Sequence, residues 1–296
     1  MTPGRCELLR ALGAMADSPA GALAAGRALG LPDLDGPQHA DAFIMNCPPY
    51  ASVYLGPDGA LGGEGADRVA GFWRAIGVVP PAEPDHLTAL LSLYASLGEA
   101  CAEARRPATA TALARTRAAL LREHLWPWLP GYLDAVSGLG VPALTAWARI
   151  TRMAIAAEVG AHRGTQPAAG RLPLALRTAP GLPEAGGGLG GVASALVTPV
   201  RSGIVLTRHC LAAGAGQAGV GYRIGERRFA LRAMLEQDPA TTLTWLSRES
   251  GRWARRHASR APSDAVTQWW ADRAGQTQRL LRQLACAALR ADGMTG

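Results

Sequence analysis

The chain of 296 residues has no lysine; all 30 of its basic side chains are arginine. That bias is more often a mark of GC-rich coding than of phosphate recognition. Aromatic residues make up only 5% of the sequence, and no recognised nucleic-acid module occurs in the order its residues would require, so a nucleic-acid partner is not expected despite a net charge of +7. The five cysteines, Cys6, Cys47, Cys101, Cys210 and Cys286, are odd in number, far apart and without a Cys-x-x-Cys. A disulfide framework and a sulfur-rich zinc site are both disfavoured, and reduced thiols in a cytoplasmic protein are expected. No apolar run reaches membrane-spanning length, because the longest uncharged stretch, Ala185 to Val200, is glycine-rich and broken by Pro199. Stable membrane insertion is therefore not expected. Ala11 to Ala16, the apolar run nearest the start, is too short for the core of an export signal.

Catalytic patterns are missing as well. There is no Gly-x-Ser-x-Gly around Ser202-Gly203 or elsewhere, no Cys-His pair at informative spacing and no phosphate loop ending in Gly-Lys-Ser or Gly-Lys-Thr. The glycines from Gly186 to Gly191 have no strand before them. The expectation is a protein that is not an enzyme and carries no cofactor. Alternating β-branched segments are almost absent, Ser202 to Leu206 being the best candidate, and the fold class expected from periodicity is all-α.

What is present is a hydrophobic content of 48%, enough for a sizeable core in one large domain or two small ones. Charge is divided unevenly: residues 1–135 hold 10 Arg against 14 acids, and residues 136–296 hold 20 Arg against 9. Helices are expected over Glu7 to Met15, Ala20 to Leu29, Ala66 to Ile76, Gly131 to Val136 and Pro142 to about Val159, with a loop from Pro32 to about Asp41. Trp73 is read as core. Residues 161–199 are dense in Gly and Pro, sparse in charge and without a lasting period, which reads as a linker or loop. Beyond it, further helices are expected: Arg208 to Ala213 capped by Thr207, Gly225 to Glu236 with Phe229, Met234 and Leu235 partly buried, one opened by Pro239, and a last one starting at Pro262-Ser263-Asp264. Arg255-Arg256-His257 would supply cations to the C-terminal end of the helix opened by Pro239.

The most informative stretch runs from Glu83 to Trp128. Glu83 stands where an N-cap would, Pro84 suits a first helical position and Asp85 brings negative charge to a helix start, so a helix is expected from near Pro84. Leu87, Leu90, Leu91, Tyr94, Leu97 and Cys101 then form one apolar face. A second helix, from about Thr109, is stopped by Pro127 within Glu123-His124-Leu125-Trp126-Pro127-Trp128. Here a carboxylate, an imidazole and two indoles share one turn, a mixture suited to gripping a segment both cationic and apolar. The plainer readings are that His86 hydrogen-bonds at a helix start, that His124 is a cationic partner of a helix dipole and that both Trp are core. A di-iron bundle would need two Glu-x-x-His pairs and two further Glu; Glu83 and His86 make one such pair, and adjacent Glu123 and His124 diverge by about 100° on a helix. No metal site is expected.

These residues carry a resemblance. The Glu-Pro-x-Asp-His-Leu-like start, the Tyr-containing helix after it and the Glu-His-Leu-x-Pro-Trp exit resemble the TorD/DmsD/NarJ family of redox-enzyme maturation chaperones. Upstream, Pro49 to Pro57 resembles that family's Tyr-x-x-Leu-Phe-x-Gly-Pro segment, with Val53-Tyr54 in place of Leu-Phe. The resemblance covers roughly residues 5–160, and the region from about 200 to 258 looks like the extension of longer members. It implies a compact helical fold over 1–160, a linker over 161–199 and a helical extension over 200–296 packed on the first region. It also implies a cytoplasmic chaperone that binds the twin-arginine signal peptide and the apo form of a molybdenum-containing oxidoreductase. The peptide-binding residues expected are Tyr50, Tyr54, Glu83, Asp85, His86, Tyr94, Glu123, His124, Trp126, Pro127 and Trp128. Glu83, Asp85, Glu123 and Asp134 would frame an acidic groove. The alternative is a helical scaffold or effector-binding module whose partner is not a signal peptide.

Overall fold

The computed structural model describes residues 2–162, 172–182, 188–260 and 264–295, and these form sixteen α-helices, two π-helical turns and no strand. The chain divides into two units: residues 1–56 with 60–177, and residues 57–59 with 178–296.

The first unit runs α1 (Pro3–Ala14), α2 (Pro19–Ala28), α3 (Gly36–Ala40), a π-helical turn π1 (Asp41–Asn46), α4 (Ala51–Leu55), α5 (Gly63–Ala75) and α6 (Leu87–Glu103). It continues with α7 (Pro107–Leu120), π2 (Leu121–Leu125), α8 (Leu129–Ser137), α9 (Pro142–His162) and α10 (Leu174–Arg177). The loop expected from Pro32 to Asp41 holds α3, because Asp35 accepts from the Gln38 N–H while the Gln38 side chain accepts from the Asp35 N–H. In α9, Leu144, Trp147, Thr151 and Ile155 are buried as their spacing requires. Trp147 donates from Nε1 to the Leu12 carbonyl at 2.9 Å, so α9 is fastened to α1. On the other side of α1, Thr88 at the start of α6 donates its hydroxyl to the Gly13 carbonyl at 2.8 Å.

The second unit runs α11 (Gly188–Leu196), α12 (Pro199–Ser202), α13 (Arg208–Ala218), α14 (Arg227–Gln237), α15 (Pro239–Ala258) and α16 (Ala265–Thr295). Residues 161–199 thus include the end of α9, all of α10 and α11, and the first residue of α12. Thr207 and Asp238 cap α13 and α15 by accepting from Cys210 N and Thr241 N. Ser202 to Leu206 is not a strand: Ser202 ends α12, and Gly203 turns the chain at φ 75°, where a Cβ would collide with the backbone of Ala274. Phe229 is 50% exposed and not partly buried as expected, because α14 buries Ala230, Leu231, Ala233, Met234 and Leu235 and leaves position 229 on the opposite side. Pro262 and Ser263 lie outside the described residues.

Candidate peptide-binding site

The site begins with a capping problem. Helix α4 has five residues, and the amides at its start need acceptors from elsewhere. Asp85 supplies them: its carbonyl accepts from Ala51 N at 3.0 Å and its carboxylate from Ser52 N at 2.9 Å. Leu87 N donates in return to the Pro49 carbonyl at 2.8 Å, which completes an isolated antiparallel bridge between Tyr50 and His86. The helix expected from Pro84 therefore begins at Leu87, because residues 83–86 are held in a turn by this bridge and Trp73 Nε1 donates to the Pro84 carbonyl at 3.1 Å. Asp85 caps α4 and not α6, and it is 3% exposed.

His86 is the N-cap of α6, its Nδ1 accepting from Thr88 N at 3.2 Å. Burial pushes its pKa below the ordinary histidine value, against the opposing charges of Glu83, Asp17 and Asp85. The imidazole meets the half-buried Tyr50 edge to face, with ring centres 4.7 Å apart. The Tyr50 phenol is pushed up to about 12, by desolvation first and by the neighbouring Glu83 carboxylate second. Glu83 itself is exposed, as is Asp17. Asp17 lies 66 residues from Glu83 in the chain and belongs to no recognisable motif, so nothing in the sequence signals its place here.

The exit motif turns inward. Pro127 has no N–H to donate, and Trp126 N donates five residues back to the Leu121 carbonyl at 2.8 Å, the π-helical pattern. His124 is 6% exposed, 4.9 Å from the Phe72 ring, and burial pulls its pKa to about 4. It is neutral near pH 7, so it is no cationic partner for a helix dipole. The Trp128 indole donates to the His124 carbonyl at 2.8 Å and stacks on Tyr54, with centres 5.3 Å apart and planes 14° from parallel. Trp128 and Tyr54 are core, Pro127 is buried, and Trp126 is half-buried. Glu123, half-buried, accepts from Arg122 Nε and from Leu174 N, both at 2.9 Å, the latter at the first residue of α10.

Of the four acids expected to frame a groove, Asp85 is the α4 cap and Asp134 is buried against Arg152 at 2.5 Å. Glu83 and Glu123 are accessible. Tyr94 belongs to a different cluster: fully buried, it donates to Glu158 at 2.9 Å, lies 3.1 Å from His162 Nε2 and carries Arg117 over its ring at 4.7 Å. Arg117 also pairs with Glu158, and Arg5 reaches the other carboxylate oxygen at 2.6 Å. This cluster was not foreseen. Its one signal in the sequence is that position 158 continues the buried stripe of 144, 147, 151 and 155 in α9. Among the described residues no group of three His, Cys, Asp or Glu is arranged to hold a metal ion, and all five cysteines are free thiols.

Tyr50 to Pro57, Glu83 to Leu87 and Glu123 to Trp128 are thus joined through Tyr50–His86, Asp85–Ser52 and Tyr54–Trp128. Residues 11–134 match the family described as the nitrate reductase delta subunit. This span is similar to that family, which is of NarJ/TorD type. The matched span contains every residue expected at the peptide site and ends before α9. No curated protein and no solved structure matches the chain. Among the described residues no helix is long and apolar enough to cross a membrane.

Proposed function

We propose that this chain is a cytoplasmic maturation chaperone for a molybdenum-containing oxidoreductase, and that it binds the twin-arginine signal peptide of the apo catalytic subunit before export. The observation that carries the reading is the meeting of Tyr50, Glu83 and His86, within the span that matches a family of nitrate reductase subunits. Tyr50 offers a ring face and Glu83 an exposed carboxylate, the two groups that a guanidinium engages by stacking and by charge-assisted hydrogen bonds. Asp17 adds negative charge to the same surroundings. The buried layer of Asp85, His86, Tyr54, His124 and Trp128 holds these surface groups in position and does not itself touch peptide. Trp126, half-buried, is suited to the apolar middle of a leader.

Exposed arginine–carboxylate pairs contribute about 0.2–1 kcal/mol each, whereas burying a large apolar side chain contributes about 1.5–3 kcal/mol. Affinity on this reading comes mainly from the apolar middle, and the arginines set register. No chemical step is required of the chain, only holding and release. Calorimetry with a synthetic leader peptide tests it. The peptide should bind, its Arg-Arg to Lys-Lys form somewhat more weakly, and Trp126→Ala should reduce affinity more than either arginine change. Absence of binding, or failure of a molybdoenzyme subunit with its leader intact to copurify with the chain, would overturn the reading in favour of a helical scaffold for some other partner.

A further inference from the structure

The loop between α13 and α14 and the first turns of α14 read Val220-Gly-Tyr-Arg-Ile-Gly-Glu-Arg-Arg-Phe229. Ile224 is 88% exposed and Phe229 50% exposed, two large apolar side chains close in the chain and both open to solvent. They share one patch: a Cβ added at Gly225 would lie 3.2 Å from the Phe229 ring, so the ring folds back over the backbone next to Ile224. The patch is held rigidly. Gln237 clamps the loop's base by accepting from Gly221 N at 2.8 Å and donating to the Gly221 carbonyl at 3.0 Å, and Arg227 fastens the start of α14 by donating to the Leu206 carbonyl at 3.1 Å. Around the two apolar side chains stand exposed Arg223, Arg228 and Arg232, with Tyr222 half-buried beside them. Residues 220–232 contain four Arg and one acid. Arg232 is paired with Glu236 at 2.7 Å, Arg228 is only loosely paired with exposed Glu226 at 3.7 Å, and Arg223 has no ion pair among the described residues.

We propose that this patch docks the chain on an anionic lipid bilayer, with Ile224 and Phe229 entering the headgroup layer and Arg223 and Arg228 binding lipid phosphates. The charge selects an anionic partner. The shape selects a fluid one, because the patch is two side chains on a loop and a first helical turn and, among the described residues, is not part of a continuous stripe into which a partner helix would fit. Clamped backbone at the base of the loop allows the two side chains to be offered without first being ordered. The inference is independent of the signal-peptide reading, since it uses none of the same residues.

The test is co-sedimentation of the full chain with vesicles of phosphatidylglycerol and phosphatidylcholine in equal parts, against vesicles of phosphatidylcholine alone. Binding is expected only to the anionic vesicles and should fall as salt is raised. Ile224→Ser with Phe229→Ser should lower the vesicle-bound partition by about tenfold or more, as the burial of two apolar groups requires. Arg223→Gln with Arg228→Gln should lower it by roughly thirtyfold, from the loss of two charges at the surface. Both pairs are exposed, and Ile224→Ser alone, in the loop, repeats the test should the double variant misfold. Equal binding to both vesicle types, unchanged binding on loss of Ile224 and Phe229, or binding of duplex DNA without binding of anionic vesicles would each overturn the proposal.

Discussion

In the first unit, beside short-range pairs such as Arg68–Glu64 and Arg122–Glu123, Arg5 and Arg117 converge on the buried carboxylate of Glu158, and Arg152 on that of Asp134; in the second, the ion pairs among the described residues are Arg228–Glu226, Arg232–Glu236 and Arg252–Glu249, each between residues two to four apart. The buried pairs exist only once separate helices have packed, and they join α1, α7 and α9 as well as α8 and α9. The short-range pairs are a matter of local spacing and ask nothing of tertiary structure. The second unit is knit by apolar and ring contacts: α15 lies along α16, and His257 sits between Trp253 and Trp270 at 5.4 and 5.9 Å. Many of its arginines, among them Arg223, Arg228, Arg248, Arg255, Arg256 and Arg279, are exposed, whereas Arg201, Arg227 and Arg273 are half-buried and donate to backbone carbonyls.

The largest expected effect sharpens that contrast. Glu158→Ala leaves Arg117 and the Tyr94 phenol without their shared acceptor, and removal of one partner from a buried pair costs about 3–5 kcal/mol. Glu236→Ala breaks an exposed pair in α14 and should cost less than about 0.5 kcal/mol. Urea unfolding of the two variants measures both. Equal losses would mean that the long-range network is no more than a solvated set of charges.

The second effect is shared by the two units and limits the contrast. His124 and His257 are both buried, and burial pulls each to about 4, with the Gly203 carbonyl at 3.1 Å from His257 and Glu123 beside His124 partly opposing the shift. A histidine whose folded pKa lies below its unfolded value near 6.5 binds fewer protons folded than unfolded between those limits. Its stabilising contribution is therefore full above about pH 6.5 and is lost as pH falls toward 4, on the order of 3 kcal/mol for each. Carboxylates titrate in the same range, so the readout is a difference: His124→Gln and His257→Gln should each flatten stability against pH between 6.5 and 4 relative to the parent chain. Parallel curves would show that these rings are protonated in the folded protein.

The same two histidines mark where sequence reasoning ran out. Both stand near helix ends, and position alone made them cations complementing a dipole; burial, a tertiary property, makes them neutral. Asp85 was misassigned for a related reason. Read locally it belongs to the helix that follows, yet its acceptor oxygens serve α4, whose amides lie 33 residues earlier. What periodicity carried well were long amphipathic helices such as α9 and α15, because their burial pattern repeats over several turns. The short elements, α3, α10 and the two π-helical turns, were missed, since four to six residues hold no period. The three segments expected at the site each have a distinctive composition; that they meet was not legible, because the bridge from Tyr50 to His86 is made of backbone groups that every sequence possesses.

The smallest expected effect would break the comparison between an acidic first surface and a cationic second one. If exposed Glu83 receives an arginine of the leader, Glu83→Gln keeps the shape of the side chain, removes its charge and should weaken leader binding by about 0.2–1 kcal/mol without moving the melting temperature. Asp85→Asn is the informative control. Its carboxylate is occupied by Ser52 N, so it should cost stability, about 0.5–2 kcal/mol for a lost cap, and leave the affinity of the folded protein unchanged. Tyr50→Phe separates two roles of one ring, since it keeps the edge-to-face contact with His86 and deletes the hydroxyl beside Glu83. An affinity loss for Tyr50→Phe as large as that for Glu83→Gln would mean that the phenol acts by orienting the carboxylate. Arg223→Gln, in the other unit, should leave the leader's affinity where it was; a gain or loss there equal to that at Glu83 would show that the peptide senses only net charge and that Tyr50 and Glu83 do not form its site.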